Sequence, residues 1–361
     1  MHDSAPDRTS NKFAFLVHPR ADVATDMARI WRPLGRVPAR SWDWGLRRLP
    51  VPPITLASVR RRGATEPDGW ILVVPVGARQ LLTEDRGWVI GRIEAAVDRA
   101  EQLGASVVGL GALTAPVTAG GAKLRERDGL TLTTGNAFTA HLSVEGLRRL
   151  LPAAPGGRLA IVGATGSVGS CVVRLLAEEP LGSQLTLIAR GERRLRELAG
   201  DFAAAGTGVP VHTSTSLDAV READVVLLLT SAADAVIGSQ HLKPGAIVLD
   251  DTQPRNTDPR LVHERPDVTV IDGGVAAIPG IELRGDIGLP RGLAYACLCE
   301  TMLMAFTGHT QRAVGQASVE HAVRMRDAAR RFAHLGFDLA EPLSFGRSVS
   351  WPAPALASVA A

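Results

Sequence analysis

At 361 residues, with 45% apolar residues and a net charge of +3, the chain is long enough for two domains and has the composition of an ordinary globular protein. The positive charge is nearly all arginine, the lysines being Lys12, Lys123 and Lys243, which is a compositional bias and not a nucleic-acid signature. Three cysteines, Cys171, Cys297 and Cys299, argue against a disulfide framework and have no metal-ligand spacing, and no apolar run approaches the roughly 20 residues of a membrane span.

The polar start MHDSAPDRTSNK has no apolar signal core, so residues 1–11 are expected to be a disordered N-terminus and the protein cytoplasmic. KFAFLVHP predicts a strand over 13–17, and DVATDMARIW follows with helical spacing at Val23, Met27 and Ile30. Residues 31–69 are proline- and tryptophan-rich, with a run Arg60, Arg61, Arg62 that suits an acidic partner or simply a solvated loop. ITLASV and WILVVPV predict strands. WVIGRIEAAVDRAEQLG places Val89, Ile93, Ala96, Val97, Ala100 and Leu103 on one helical stripe that ends at Gly104. SVVGLGAL then predicts a buried strand, TAPVTAGGAK a loop, TLTT a short strand, and Gly135–Asn136 the start of a helix running to about Leu151.

PAAPGG is the best linker candidate, and after it the pattern becomes strand–helix alternation: RLAIVG, SVGSCVVRLLAEE, QLTLIAR, ERRLRELAGDFAAAG, ADVVLLLTS, AIVLDD. Such alternation predicts a doubly wound parallel sheet, so the fold class expected is α/β, an N-terminal mixed α/β domain joined to a Rossmann-like sheet and a C-terminal helical segment. From about Pro290 the chain reads as helical to Leu335, with a hinge near Gly308 and a helix start at Pro290–Arg291.

The strand RLAIV runs directly into Gly163-x-x-Gly166-x-x-Gly169, which opens a helix. Glycines there let backbone amides approach a pyrophosphate at a helix N-terminus, so Gly163, Thr165, Gly166, Ser167, Val168 and Gly169 are candidate dinucleotide contacts. A binder of NAD usually ends the next strand in an acid for the ribose hydroxyls. This one ends in Arg190, with Arg193 and Arg194 behind, which suits a 2′-phosphate and selects NADPH, through Arg190 and Arg194. Thr230 and Ser231, at the end of VVLLL, should meet the cofactor or simply form a turn.

Cys297, Glu300, Thr301 and Met304 fall on one helical face, and Cys299 nearly opposite with Met302, Leu303 and Phe306. On the residues alone, a buried inert thiol is the commoner fate of such a cysteine, and Cys171, in an apolar helix, reads as core.

The segments FAFLVHP, GLGALTAPVTAGGAKL, LTTGNAFTAH, IVGATGSVGS, LIARGERRL, VIDGGV and YACLCETML, in that order between about Lys12 and Leu339, together resemble long-chain acyl-[acyl-carrier-protein] reductases. The resemblance implies NADPH-dependent reduction of an acyl thioester to a fatty aldehyde, within lipid metabolism. It implies Cys297 as the nucleophile that carries the acyl group, Glu300 as the acid beside it, and an acyl carrier protein or acyl-coenzyme A as the substrate partner. A downstream aldehyde-consuming enzyme would then be a further partner, with neither nucleic acid nor metal involved. The oxyanion donors would come from the polar turns at Gly111, Thr114, Thr134, Gly135 and Asn136, which otherwise simply cap helices. An apolar tunnel between the N-terminal domain and the C-terminal helices would take the chain. LDDTQP replaces the glycine-rich turn the family tends to have, which leaves Asp251 an undecided neighbour. The domains expected are 12–151 for substrate, 152–290 for NADPH, 291–340 for the helices with the catalytic cysteine, and 341–361 as a flexible tail.

Three alternatives stay open. A short-chain dehydrogenase needs Tyr-x-x-x-Lys, whereas Tyr295 has Cys299 at that spacing. A shikimate-type dehydrogenase would use Lys123, at the wrong spacing, and leave Cys297 without a task. A non-catalytic NADPH-sensing module would bind the cofactor without consuming it.

Overall fold

The computed structural model describes residues 11–19, 23–49, 51–154, 156–232 and 235–354. Two six-stranded sheets organise it. The first contains β1 (Lys12–Val17), β2 (Ile54–Arg61), β3 (Gly69–Val73), β4 (Ala105–Leu110) and β5 (Thr131–Thr133), with the strand Ile281–Arg284 returning from late in the chain to its edge. Across the sheet the order is Ile281–Arg284, β2, β3, β1, β4, β5. The pairs β3–β1, β1–β4 and β4–β5 are parallel, and the two at the other edge antiparallel. Phe13, Phe15, Ile71 and Val107 face the cysteine-bearing helix, while Ala14, Leu16, Leu72 and Val108 face the helix Arg86–Gln102. That is the alternation of a strand buried on both faces.

The second sheet consists of β6 (Arg158–Val162), β7 (Gln184–Ile188), β8 (Val211–Ser214), β9 (Val225–Leu228), β10 (Ile247–Asp250) and β11 (Thr269–Asp272). Its order is β11-β10-β9-β6-β7-β8, all parallel. This is the doubly wound order whose switch point lies between β6 and β9, and the loops leaving those two strands open the crevice where such sheets bind ligands. The α/β expectation is met, and the helix Asn136–Leu150 packs between the two sheets through Ala137, Ala140, Val144 and Leu147 on one side and Phe138 and Leu142 on the other.

Several local expectations change. TAPVTAGGAK is not wholly loop: residues Thr114–Val117 form one helical turn, closed by the Thr118 hydroxyl on Thr114 O at 2.7 Å. The helix expected to start at Pro290–Arg291 starts at Ala296. Gly292, at φ 80°, turns the chain in the left-handed region, and Leu293–Tyr295 is a short strand antiparallel to Val275–Ala277. Residues 341–354, expected as part of a flexible tail, contain the hairpin Leu343–Ser344 with Arg347–Ser348. The amides of Phe345 and Gly346 donate to the Asp272 carboxylate at 3.1 and 2.7 Å, and this hydrogen bonding to a charged acceptor ties the hairpin to the end of β11. The rest of that segment, and residues 1–10 of the expected disordered N-terminus, lie outside the described residues. Among the described residues no helix is long and apolar enough to cross a membrane.

Candidate active site

The glycine loop takes its shape from backbone crowding. Gly163 leaves β6 at φ 88°, and a Cβ there would stand 2.6 Å from Leu229 O. At Gly169 a Cβ would stand 2.4 Å from Gly163 O. Both glycines therefore serve close approach of loop, strand and helix, and neither faces the crevice. Gly166 caps the helix Ser167–Glu178, and Gly166, Ser167 and Val168 line a cavity of about 650 Å³ together with Thr230 and Ser231 from the end of β9. Thr165 is half-buried outside that lining. The Ser167 hydroxyl is already engaged: it donates to Gly315 O at 3.2 Å and accepts from Ala317 N at 2.9 Å, holding the 315–317 loop over the helix N-terminus. The Thr230 hydroxyl bonds Asn256, so what these residues turn to the cavity is chiefly backbone. A nicotinamide dinucleotide fits this site, since the first-turn amides of a 12-residue helix open on a glycine-lined crevice at the switch point. Arg190 and Arg194 lie outside the cavity and are exposed beyond the end of β7, while Arg193 pairs with Glu197 at 2.7 Å.

Cys297 lines the same cavity. Tyr295 is the N-cap of the helix Ala296–Thr307, so Cys297 is its second residue and stands inside the first turn, closer to the free amides than the expected start at Pro290 implied. The helix begins there because Ala296 N donates to Gly274 O at 2.8 Å, ending the strand Leu293–Tyr295. Burial pushes the Cys297 thiol up to about 12. The Leu298 and Cys297 amides oppose that shift, and the negative charge of Glu300 adds to it. The resting residue is therefore a thiol. Burial, with Glu300 adding to the shift, holds Cys171 up to about 12, and burial also raises Cys299 well above the usual thiol range, so both read as inert core.

Glu300 is not beside the thiol in the cavity. It is fully buried about one turn further along the helix, where Phe138 N donates to it at 2.7 Å, His321 Nε2 lies at 3.2 Å and the Thr133 hydroxyl makes a third bond. The same Thr133 hydroxyl accepts from Gly135 N at 3.0 Å. Glu300 thus ties β5, the Asn136 helix and the helix Val319–Arg331 to the cysteine helix. In this geometry it positions the thiol's surroundings and does not touch the cavity. The helical face expected for Cys297 and Glu300 was right in rotation, but packing directs its two ends to different neighbours.

The five expected oxyanion residues separate in the same way. Gly111 packs under Phe15 and spends its amide on Leu16 O at 2.8 Å, and Thr114, fully buried, bonds Gly111 O at 2.7 Å. Neither reaches the cavity, because both close the turn that follows β4. The amides of Thr134 and Gly135 are also consumed, on Ala313 O at 3.1 Å and on the Thr133 hydroxyl at 3.0 Å. Thr134 and Asn136 line the cavity, and Asn136, the first residue of its helix, retains both a side-chain amide and helix N-terminal amides there. Gly135 is a spacer: at φ 72° its Cβ would stand 2.3 Å from both Cα and Cβ of Cys297.

Two further features were not singled out from sequence, and a third was left undecided there. His18, at the carboxyl end of β1, lines the cavity with Nδ1 2.8 Å from Pro19 O and Nε2 accepting from Leu113 N at 3.1 Å, and its position at a strand end is the signal that could have found it. Ala112 and Ala119, both lining residues, hold φ of 48° and 54°, a conformation non-glycine residues adopt at a cost. Asp251, undecided in the sequence, lies on the cavity wall. One part of the wall is apolar: Phe15, Val17, Met27, Leu56, Ile71 and Val73, from the first sheet and the helix Val23–Ile30.

Comparison with known proteins agrees with this coarse picture. Residues 158–271 match the family described as semialdehyde dehydrogenase, NAD binding domain. The chain is 25% identical over 358 residues to aminotransferase PigE of Serratia sp. (strain ATCC 39006), covering 94% of this chain and 41% of that protein. It is 30% identical over 213 residues to the long-chain acyl-[acyl-carrier-protein] reductase of Synechococcus elongatus, covering 52% of this chain and 60% of that one. The chain thus spans less than two thirds of either curated relative. Among solved structures, quinate dehydrogenase from Corynebacterium glutamicum in complex with NAD aligns over 89% of this chain and 99% of its own at 14% identity and a TM-score of 0.39. Sequence, sheet order and family match together identify an NAD(P)-binding oxidoreductase fold.

Proposed function

We propose that this protein reduces an acyl thioester to an aldehyde with NADPH, through an acyl group held on Cys297. One observation carries the reading: the thiol, the N-terminus of the glycine-loop helix and an apolar wall of six side chains border a single cavity. A nicotinamide alone needs no cysteine, and a thiol alone needs no dinucleotide loop. The two together, with apolar space beside them, suit transfer of an acyl group followed by reduction. The partial match to a protein named a long-chain acyl-[acyl-carrier-protein] reductase supports the same class, and with it a carrier-bound acyl chain as substrate.

When bound, the reduced nicotinamide supplies hydride; everything else falls to the chain. Cys297 forms the new C–S bond and its proton leaves with the departing carrier thiol, so acylation needs no net proton from the site. That suits a cysteine whose resting form is the thiol. The amides of the first turn and Asn136 are the groups placed to meet the tetrahedral oxygen. Phe15, Val17, Leu56, Ile71 and Val73 hold the chain and exclude water. Glu300 acts at a distance, by fixing the turn at Thr133–Gly135 against the cysteine.

Incubation with a long-chain acyl thioester in the absence of NADPH should leave one acyl group on the peptide containing Cys297, read by mass spectrometry after digestion. An unmodified peptide, with substrate in excess, rejects the reading.

The cofactor choice has its own test. Arg190→Ala with Arg194→Ala removes two exposed guanidinium groups beyond β7, and each charge-assisted bond to a phosphate is worth about 1.5–3 kcal/mol. Calorimetric titration should show NADPH affinity falling by about 10²- to 10⁴-fold while NADH affinity hardly moves. Equal losses for both cofactors would remove the case for NADPH.

A further inference from the structure

Asp251 lies next to the end of β10, and its side chain is built into the cavity wall between two elements that also frame Cys297. Its Oδ1 occupies the place of the side chain that Gly273 lacks: a Cβ on residue 273 would stand 1.4 Å from it. Any other residue at 273 would expel the carboxyl group. The next residue, Gly274, accepts from Ala296 N at 2.8 Å, the bond that starts the cysteine helix. One glycine pair therefore seats the carboxyl group on one side and the nucleophile's helix on the other.

Hydrogen counting decides the state of this group. Oδ2 is in hydrogen-bond contact with the Ser143 hydroxyl, and that hydroxyl also lies 2.8 Å from Thr139 O. A serine hydroxyl has one hydrogen, and a carbonyl can only accept. That one hydrogen is placed to reach Oδ2, and it is the one side-chain donor that meets the carboxyl group among the described residues. Oδ1 is buried, and among the described residues no donor reaches it. An ionised carboxylate with one oxygen unmatched is costly; a neutral acid, whose Oδ1 is an ordinary carbonyl oxygen, is much less so. The surroundings agree. The Asn136 helix offers only the hydroxyl groups of Thr139 and Ser143, residues 273–274 offer no side chain, and Asp250 is a like charge next along the chain. Arg255, the nearby cation, is committed to Asp272 at 2.7–2.8 Å. Tyr295 and Cys297 complete the wall from the third side.

We propose that Asp251 is kept as a neutral acid by its burial against Gly273 and that it delivers the proton consumed when the acyl group on Cys297 is reduced. The inference rests on the thioester-reducing reading given above. Its balance is simple. Acyl–S–Cys297 takes up one hydride, from the reduced nicotinamide, and one proton. The C–S bond breaks, and the products are an aldehyde and the Cys297 thiol. Since acylation leaves no spare proton in the site and the thiol must be regenerated, an acid on the wall closes the cycle, and it then recovers its proton from solvent. Burial, opposed by the Ser143 hydrogen bond and helped by the Asp250 charge, pushes the carboxyl up to about 7, a value suited to giving and regaining a proton near neutral pH.

Asp251→Asn keeps the shape of the group and removes its titration. Two measurements test the proposal. Difference infrared spectroscopy, with no cofactor or substrate present, should show a protonated-carboxyl band that disappears as pH rises through about 7 and that is missing from Asp251→Asn. The second measurement uses enzyme acylated beforehand. Single-turnover aldehyde release should be fastest below about pH 7 in the wild type, and about 100-fold slower and free of that pH limb in Asp251→Asn. A band already ionised at acidic pH, or aldehyde release unchanged in Asp251→Asn, would overturn the role of Asp251 and leave the Cys297 chemistry standing. A wild type that never acylates Cys297 overturns both.

Discussion

Cys297→Ser should abolish aldehyde formation, by on the order of 10³-fold or more, and leave NADPH binding unchanged. The size follows from the part played: a nucleophile that carries the intermediate is lost together with the pathway, and measured losses for such residues are of this order or larger. The residue stands in the first turn of the helix Ala296–Thr307 and on the cavity wall, so an oxygen in place of sulfur alters little in packing. It is, however, far less ready to attack a thioester with only the departing thiol to take its proton. Cofactor binding should survive because the glycine loop belongs to the other sheet and its shape depends on Gly163, Gly169 and Leu229. Aldehyde detection by mass spectrometry and fluorescence titration of NADPH read the two quantities separately. Cys171→Ala supplies the contrast, since that thiol is fully buried in the helix behind the glycine loop and should carry no acyl group. Retained aldehyde formation in Cys297→Ser would exclude a covalent intermediate on this residue.

Gly135→Ala should be nearly as damaging, although residue 135 has no chemistry of its own. Its φ of 72° costs an L-residue about 1 kcal/mol, and the new methyl group would stand 2.3 Å from Cα and Cβ of Cys297. The clash is with backbone as well as side chain, and that backbone is held by Ala296 N on Gly274 O and by the Glu300 bonds to Thr133 and Phe138. Overpacking of a fixed neighbour adds about 1–3 kcal/mol, giving a loss of about 2–4 kcal/mol in denaturant unfolding. Relief by movement of the cysteine turn would displace the sulfur from its place on the wall, and displacements near 1 Å cost about 10²-fold in rate. Gly63 separates the two effects. It has φ 86° with no atom within 4 Å of the Cβ position, so Gly63→Ala should show the backbone cost alone and full activity. Equal behaviour of the two variants would mean that residue 135 does not set the position of the thiol.

Much of the architecture was legible in advance because its signals are local. The run RLAIV followed by spaced glycines and an amphipathic helix can form only a few structures, and it forms the strand–loop–helix anticipated for it. The helix Arg86–Gln102 is likewise written in the spacing of Val89, Ile93, Ala96, Val97 and Ala100, all fully buried. The site was legible only in part. Thr134, Asn136, Gly166, Ser167, Val168, Thr230, Ser231 and Cys297 meet at one cavity, whereas Gly111, Thr114, Gly163, Gly169 and Glu300 support its walls from behind. Residues of the second kind lie at the same turns and have the same chemistry as the first. What distinguishes them is where each polar group is already spent, and that is a property of neighbours far away in the chain, such as Leu16 O for Gly111 and Phe138 N for Glu300.

Sequence by itself determined most of the elements and the parallel dinucleotide-binding sheet, since each depends on spacing within a few turns. Tertiary structure alone decided where the cysteine helix begins, that Glu300 is a buried tie between elements, and that Asp251 lies on the wall with its carboxyl group lodged against Gly273. The reason is common to all three. A helix start, a buried charge and a proton's place are each settled by competition among partners for hydrogen bonds in a space closed to water, and those partners are 22 residues away for Gly274 and Ala296, 162 for Phe138 and Glu300, and 108 for Ser143 and Asp251.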